Sequence, residues 1–168
     1  MNNFIIELIR ALRKIEAHKL EKLKDVIYNT KGMVLVLGNG GSNAIASHIA
    51  EDYTKGLKIV STSFSDAARL TCYANDYGYE NAFREYIKEF SQPNGLVILI
   101  SSSGNSKNIV NCADYCQKHG LQYIILSGFN ENNKLREYAE DAILDFWVDS
   151  TDYGIVECTH EIILHSII

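Results

Sequence analysis

The chain has 168 residues, of which 46% are hydrophobic and 22% charged, and its formal net charge is −5. This size and composition are typical of one globular domain with an apolar core. The basic residues are scattered, which argues against a nucleic-acid surface, and no apolar run approaches the roughly 20 residues that span a membrane. None of the four cysteines forms a Cys-x-x-Cys pair. We therefore expect a reducing, cytoplasmic setting.

Residues 4–28 carry apolar side chains at helical spacing, which predicts one long amphipathic helix before the first strand. We interpret residues 1–30 as an N-terminal helical arm of a single domain that spans residues 1–168. The apolar face of this arm has two possible uses. It packs either on a partner subunit or on its own domain.

Strands and helices are predicted to alternate after residue 32. The predicted strands are 33–37, 58–62, 96–100, 122–126 and 142–148. The predicted helices are 42–54, 65–73, 79–90, 106–118, 132–139 and 154–168, with a loop at Asn75–Gly78. This alternation predicts an α/β domain whose parallel sheet is covered by helices on both faces. In such sheets ligands bind beyond the carboxyl ends of the strands.

Two turns rich in glycine and serine follow apolar strands and run into predicted helices. The first is Gly38-Asn-Gly-Gly-Ser42, and the second is Ser101-Ser-Ser-Gly-Asn-Ser106. Glycine permits tight turns and close ligand approach, while the free N–H groups of a helix start attract anions. One such turn is also explained by the ordinary use of glycine and serine in loops and helix caps. Two in one small domain favour a phosphorylated ligand.

Acid, base and metal candidates lie on two predicted helices. His48 and Asp52 are four residues apart and share a helix face, which suits a metal pair, an acid/base pair or a modest surface contact. Glu157, Glu161 and His165 follow one face of the last helix. Histidine nitrogen and carboxylate oxygen are zinc ligands, although a buried structural histidine is the alternative for His165. Residues 157 and 165 are roughly 12 Å apart along a straight helix. One ion reaches both only if the side chains converge, the helix starts late, or different subunits supply them.

The motifs together resemble a known family. The order and spacing of Gly38–Ser42, His48, Asn75–Gly78 and Ser101–Ser106 are similar to the sugar-isomerase (SIS) domain, and more narrowly to the sedoheptulose-7-phosphate isomerase, or phosphoheptose isomerase, family. The similarity spans nearly the whole chain. It implies a homotetramer with active sites between subunits. It also implies conversion of sedoheptulose 7-phosphate to a heptose 7-phosphate through an enediol(ate), for surface-polysaccharide heptose.

The resemblance also implies residue roles. Asp52 is the implied base, and His165 moves protons. The implied zinc ligands are His48, Asp52, Glu157 and His165. The implied substrate-binding residues are Asn39, Gly40, Gly41, Ser42, Asn75, Asp76, Ser101, Ser102, Ser103, Ser106 and Glu157. The family has glutamate where this chain has Asp52, and glutamine where it has Glu157. The alternative function is a non-catalytic SIS-domain regulator that binds a sugar phosphate or a protein.

Overall fold

The computed structural model describes residues 3–168, which form a parallel five-stranded sheet with helices on both faces. The strands are β1 (Val34–Gly38), β2 (Ser61–Ser63), β3 (Leu96–Ser101), β4 (Tyr123–Gly128) and β5 (Leu144–Val148). Their order across the sheet is β2-β1-β3-β4-β5, and all neighbouring strands pair in parallel. The predicted fold class is confirmed.

In the described part of the chain, seven α-helices connect and flank the strands. They are α1 (Asn3–Arg13), α2 (Ala17–Asn29), α3 (Gly41–Asp52), α4 (Ala67–Tyr77), α5 (Tyr79–Phe90), α6 (Lys107–Lys118) and α7 (Tyr153–His165). A π-helical turn at Tyr53–Leu57 continues α3, and a 3₁₀ turn at Lys134–Tyr138 precedes β5. Within residues 3–168, the helices are all too short or too polar to cross a lipid bilayer.

The central strands are buried on both sides, as their continuous apolar sequences predict. Val34 and Val36 of β1 face a cluster formed with α2, α3 and α7. Leu35 and Leu37 of the same strand face the opposite cluster, formed with α5 and α6. Successive side chains of a strand point to opposite faces, so one short strand serves two cores.

The N-terminal segment is helical, but the prediction of one continuous helix is wrong. The chain turns between α1 and α2 because the two helices pack on different surfaces. Ala11 of α1 lies in a small cluster with Val148, at the end of β5, and Val156, near the start of α7. Leu23 and Ile27 of α2 are instead fully buried against the sheet.

The predicted loop at residues 75–78 is also corrected. Asn75 belongs to α4, which continues to Tyr77, and only Gly78 separates α4 from α5. Tyr73 contacts the rings of Phe64 and Tyr77, and this aromatic packing favours the longer helix. Residues 58–62 were predicted as a strand, but β2 begins only at Ser61 because the π-helical turn extends α3.

A buried histidine joins α7 to the end of β4. His160 is fully buried, and its Nε2 lies 3.0 Å from the carbonyl oxygen of Ser127. A carbonyl only accepts, so Nε2 carries the proton in the neutral ring. Nδ1 then holds a lone pair, which meets no hydrogen-bond partner within the described chain. Burial lowers the pKa of His160 from 6.5 to about 4.

This pKa predicts a loss of stability in mild acid. Between pH 6.5 and about 4 the unfolded chain binds a proton at His160 that the folded chain does not bind. The free energy of unfolding therefore falls as the pH drops through this window, by about 3 kcal/mol in total. Urea unfolding of the wild type and of His160→Gln between pH 4 and 8 measures the difference. An equal pH slope in the two proteins would contradict the prediction.

Candidate active site

A cavity of about 270 Å³ opens at the carboxyl ends of β1 and β3. The two strands are neighbours in the sheet, and the strand order reverses between them, which is where ligands bind in open parallel sheets. The cavity is lined by Asn39, Gly40, Gly41, Ser42, Ile100, Ser101, Ser102, Ser103, Ser106, Tyr153 and Glu157. Both serine-containing turns therefore meet at one site.

Two helices begin at this cavity without a side-chain cap. Gly40 precedes α3 and has no side chain that could cap it. Ser106 precedes α6, and its hydroxyl accepts no hydrogen bond from that helix. By contrast, Asp66 and Asp152 cap α4 and α7. The free N–H groups of α3 and α6 remain available, and the helix dipoles favour an anion there.

Glycine is required at two positions of the first turn. Gly40 has φ +54°, a conformation that disfavours side chains. A Cβ atom on Gly41 would lie 2.3 Å from a carboxylate oxygen of Glu157. The bare backbone at residue 41 thus lets the Glu157 carboxylate approach the cavity wall.

The serine hydroxyls form the polar floor of the cavity. Ser101 donates to Ser106 across 3.1 Å, and the hydroxyls of Ser42 and Ser102 are 3.5 Å apart. Ser42, Ser101 and Ser102 are each at most 5% exposed. Buried hydroxyls that contact mainly one another retain lone pairs and protons for a ligand.

Glu157 adds an acidic group to this otherwise neutral cavity. The residue is half-buried, and its carboxyl lies between Gly41 and Ser102. Burial raises the pKa of Glu157, while a hydrogen bond from Ser102 acts in the opposite direction. An ionised carboxylate here opposes the binding of an anion.

We expect Glu157→Gln to bind inorganic phosphate about fivefold more tightly than the wild type at pH 8. Removing one nearby charge in an aqueous cavity changes binding by about 1 kcal/mol. Calorimetric titration with phosphate measures the change. Glu51→Gln removes an exposed charge elsewhere and serves as the control. Equal phosphate affinity in Glu157→Gln and the wild type would show that Glu157 does not limit anion binding.

A second group of candidate side chains lies where α3 and α7 end. The Asp52 Oδ2 atom is 3.0 Å from the Nε2 atom of His165 and 3.4 Å from that of His48. One ligand atom from each of the three residues lies within 4.8 Å of the others. Tetrahedral zinc with bonds near 2.05 Å separates its ligand atoms by roughly 3.3 Å. The three residues therefore fit a zinc ion.

Glu161 orients both histidines of this group. Its carboxylate lies 3.1 Å from the Nδ1 atom of His48, and its carbonyl oxygen lies 2.9 Å from the Nδ1 atom of His165. The carbonyl only accepts, so Nδ1 of His165 carries a proton and Nε2 faces Asp52. The hydrogen bond to Glu161 raises the pKa of His48, and the charge of Asp52 acts in the same direction. Such outer partners orient the histidines of metal sites.

The predicted site residues thus separate into two groups within one chain. The eight predicted turn residues and Glu157 line the cavity, whereas His48, Asp52 and His165 lie together elsewhere. Residues 157 and 165 are about 12 Å apart along α7. Among the described residues, Glu157 does not join the metal-binding group. Asn75 and Asp76 are exposed on α4, and neither lines the cavity.

Three residues of these sites, Tyr79, Asn108 and Tyr153, were not assigned a role from the sequence. Glu161 was predicted only as a candidate on the same helix face as His165. Tyr153 lines the cavity, and Tyr79 and Asn108 both contact Asn39. Glu161 supports the two histidines. Helical spacing alone predicts that Glu161 and His165 share a face. The contacts of Tyr79 and Asn108 join residues 40 and 69 positions apart, and no local pattern indicates them.

Comparison with known proteins gives a consistent result. The family model described as the SIS domain matches residues 2–128. A phosphoheptose isomerase from Fusobacterium nucleatum is 34% identical over 161 residues, which cover 91% of this chain and 81% of that protein. Another, from Chlorobium phaeobacteroides, is 35% identical over 111 residues, so the match spans about half (49%) of that protein.

A solved structure extends the similarity to three dimensions. The structure of a phosphoheptose isomerase from Neisseria gonorrhoeae superimposes with a TM-score of 0.86 and 24% sequence identity. The superposition covers 97% of this chain and 91% of the other. It supports the fold, including the arrangement of the sheet that forms the cavity.

Proposed function

Because the chain belongs to the SIS-domain family, and within it to the phosphoheptose isomerases, we propose that it converts sedoheptulose 7-phosphate to a heptose 7-phosphate. The observation that carries this proposal is the serine-lined cavity between two uncapped helix starts. Such a cavity suits the phosphate of a sugar. The product supplies heptose for surface polysaccharide, and the reaction takes place in the cytoplasm.

The reaction moves protons and shifts the carbonyl double bond from C2 to C1, and no single bond between heavy atoms forms or breaks. Asp52 removes a proton from C1, next to the carbonyl, which gives the enediol(ate). His165 carries protons between the two oxygens, and return of a proton to C2 gives the aldose. The serine hydroxyls and helix N–H groups hold the phosphate, so the reacting carbons stay in place.

The separation of the two groups supports a site that is shared between chains. Asp52 lies roughly 16 Å along α3 from Gly41 at the cavity, and His165 lies roughly 12 Å along α7 from Glu157. A second copy of the chain would bring its histidine group to this cavity. Ile5 and Ile9 of α1 are 49% and 41% exposed and offer an apolar surface for such contacts. We therefore include a homotetramer in the proposal.

Zinc is the metal that we assign to His48, Asp52 and His165. When bound, the ion polarises the carbonyl and stabilises negative charge that develops on its oxygen. Metal analysis of purified protein tests this assignment. Zinc should raise the melting temperature of the wild type and should not raise that of a His48→Ala variant.

Turnover of sedoheptulose 7-phosphate by the purified protein tests the proposed function. We expect the aldose to form, and formation should increase with enzyme concentration. Binding of the sugar phosphate without turnover, with or without zinc, would favour the non-catalytic regulator instead.

Mixed tetramers test the shared site separately. One chain carries Asp52→Asn, and the other carries Ser101→Ala with Ser106→Ala in the cavity. If each site takes its cavity from one chain and its Asp52 from another, random mixing restores about a quarter of the sites. If each chain forms a whole site, mixing restores none. Light scattering gives the number of chains in the assembly.

A further inference from the structure

Asn39, in the wall of the cavity, is paired with a buried asparagine of α6. The Nδ2 atom of Asn39 donates to Oδ1 of Asn108 across 2.9 Å, and Nδ2 of Asn108 donates to Oδ1 of Asn39 across 2.8 Å. Asn108 is 3% exposed. The two amides therefore form a closed pair that joins the two turns of the cavity.

The backbone of α6 fixes the orientation of this pair. The N–H of Ile109, which also donates to the carbonyl of Ser106, lies 3.1 Å from Oδ1 of Asn108. An N–H only donates, so the Asn108 atom that faces it must be the oxygen. Nδ2 of Asn108 then faces Asn39, whose nearest atom must accept.

A tyrosine reinforces the same orientation from outside the pair. The hydroxyl of Tyr79, at the start of α5, donates to Oδ1 of Asn39 across 2.7 Å. This oxygen thus receives two hydrogen bonds. Asn39 uses one N–H in the amide pair, and its second N–H donates to no group in the described chain.

We propose that Tyr79 and Asn108 are positioning residues that make Asn39 a hydrogen-bond donor to an oxygen of the sugar. The proposal deepens the proposed function, since it rests on a sugar phosphate as the ligand. Because the free N–H of Asn39 only donates, it selects for an acceptor atom in the ligand. Asn39 favours a hydroxyl or carbonyl oxygen at that point of the ligand, while the serines hold the phosphate.

Tyr79→Phe tests this role with little risk to folding, because Tyr79 is half exposed and keeps its ring. We expect sedoheptulose 7-phosphate to bind about threefold to tenfold more weakly, the effect of one neutral hydrogen bond. The affinity for inorganic phosphate should stay within twofold. Tyr77→Phe is the matched control, because Tyr77 is similarly exposed and its hydroxyl makes no hydrogen bond within residues 3–168. Calorimetry measures both ligands.

Proton exchange of the Asn39 side chain gives a second readout without ligand. In ¹H–¹⁵N spectra of the wild type, one of the two amide protons should be protected by the pair with Asn108. Tyr79→Phe should speed its exchange several-fold, and Asn108→Ser should remove the protection. Tyr77→Phe should leave it unchanged.

The outcomes separate this proposal from the proposed function. In one outcome, the wild type turns the sugar phosphate over normally while Tyr79→Phe and Tyr77→Phe change sugar affinity and amide-proton exchange equally. That result overturns the positioning role alone. A parallel loss of affinity for inorganic phosphate also overturns it, since the effect would then lie with the serines. If the wild type shows no turnover but Tyr79→Phe selectively loses sugar binding, the isomerase function is overturned and the positioning role is supported.

Discussion

Asp52→Asn is expected to lower the rate of sedoheptulose 7-phosphate isomerisation by about a thousandfold. The amide keeps the shape of the carboxylate but cannot accept a proton from C1. Asp52 also provides the oxygen that both histidines approach, at 3.0 and 3.4 Å. Steady-state rates of the variant and the wild type, with zinc supplied to both, measure the loss.

Two controls test whether the loss of rate is specific to Asp52. Glu51→Gln makes the same chemical change at the preceding residue, whose carboxylate lies 3.8 Å from the Nζ atom of Lys55, and should keep its rate within twofold. The affinity of Asp52→Asn for inorganic phosphate should also stay within twofold, because Asp52 acts at C1 while the serine hydroxyls and helix N–H groups hold the phosphate. A tenth or more of the wild-type rate in Asp52→Asn would remove the base assignment.

The sheet and the cavity follow from local sequence patterns. Apolar runs such as Val34–Leu37 have the composition of strands buried on both faces. The turn after each run combines glycine and serine and leads into a helix, so its position at the strand end predicts an anion site. Parallel strands end at one edge of the sheet, and because β1 and β3 are neighbours, Ser42 and Ser101 line one cavity.

The remaining features of the fold and of the candidate site depend on contacts between distant parts of the chain. The break between α1 and α2 contains neither glycine nor proline, and it arises because Ala11 and Leu23 pack on different surfaces. The sequence places Glu157 and His165 on one helix face, but it does not indicate which one approaches Gly41 or Asp52. Asn108 carries no local sign of its pairing with Asn39, since that contact exists only after the turns meet.

His165→Gln is expected to lower turnover by about a hundredfold, because the second proton carrier is lost. Zinc affinity should fall by tenfold or more, since Nε2 of His165 is one of three ligand atoms in the group. Rates and metal content per chain measure the two effects. With zinc removed from both proteins by a chelator, the melting temperature of the variant should stay close to that of the wild type, as the ring is partly exposed.

His119→Gln is a closely matched control for this substitution. The Nδ1 atom of His119 lies 2.9 Å from the carbonyl oxygen four residues earlier, as does that of His165. Only His165 has a carboxylate against its second nitrogen. If the hydrogen bond to the helix carbonyl were the important feature, both variants would lose activity equally. A loss confined to His165→Gln, together with the loss of zinc, places the function at Nε2, the atom that faces Asp52.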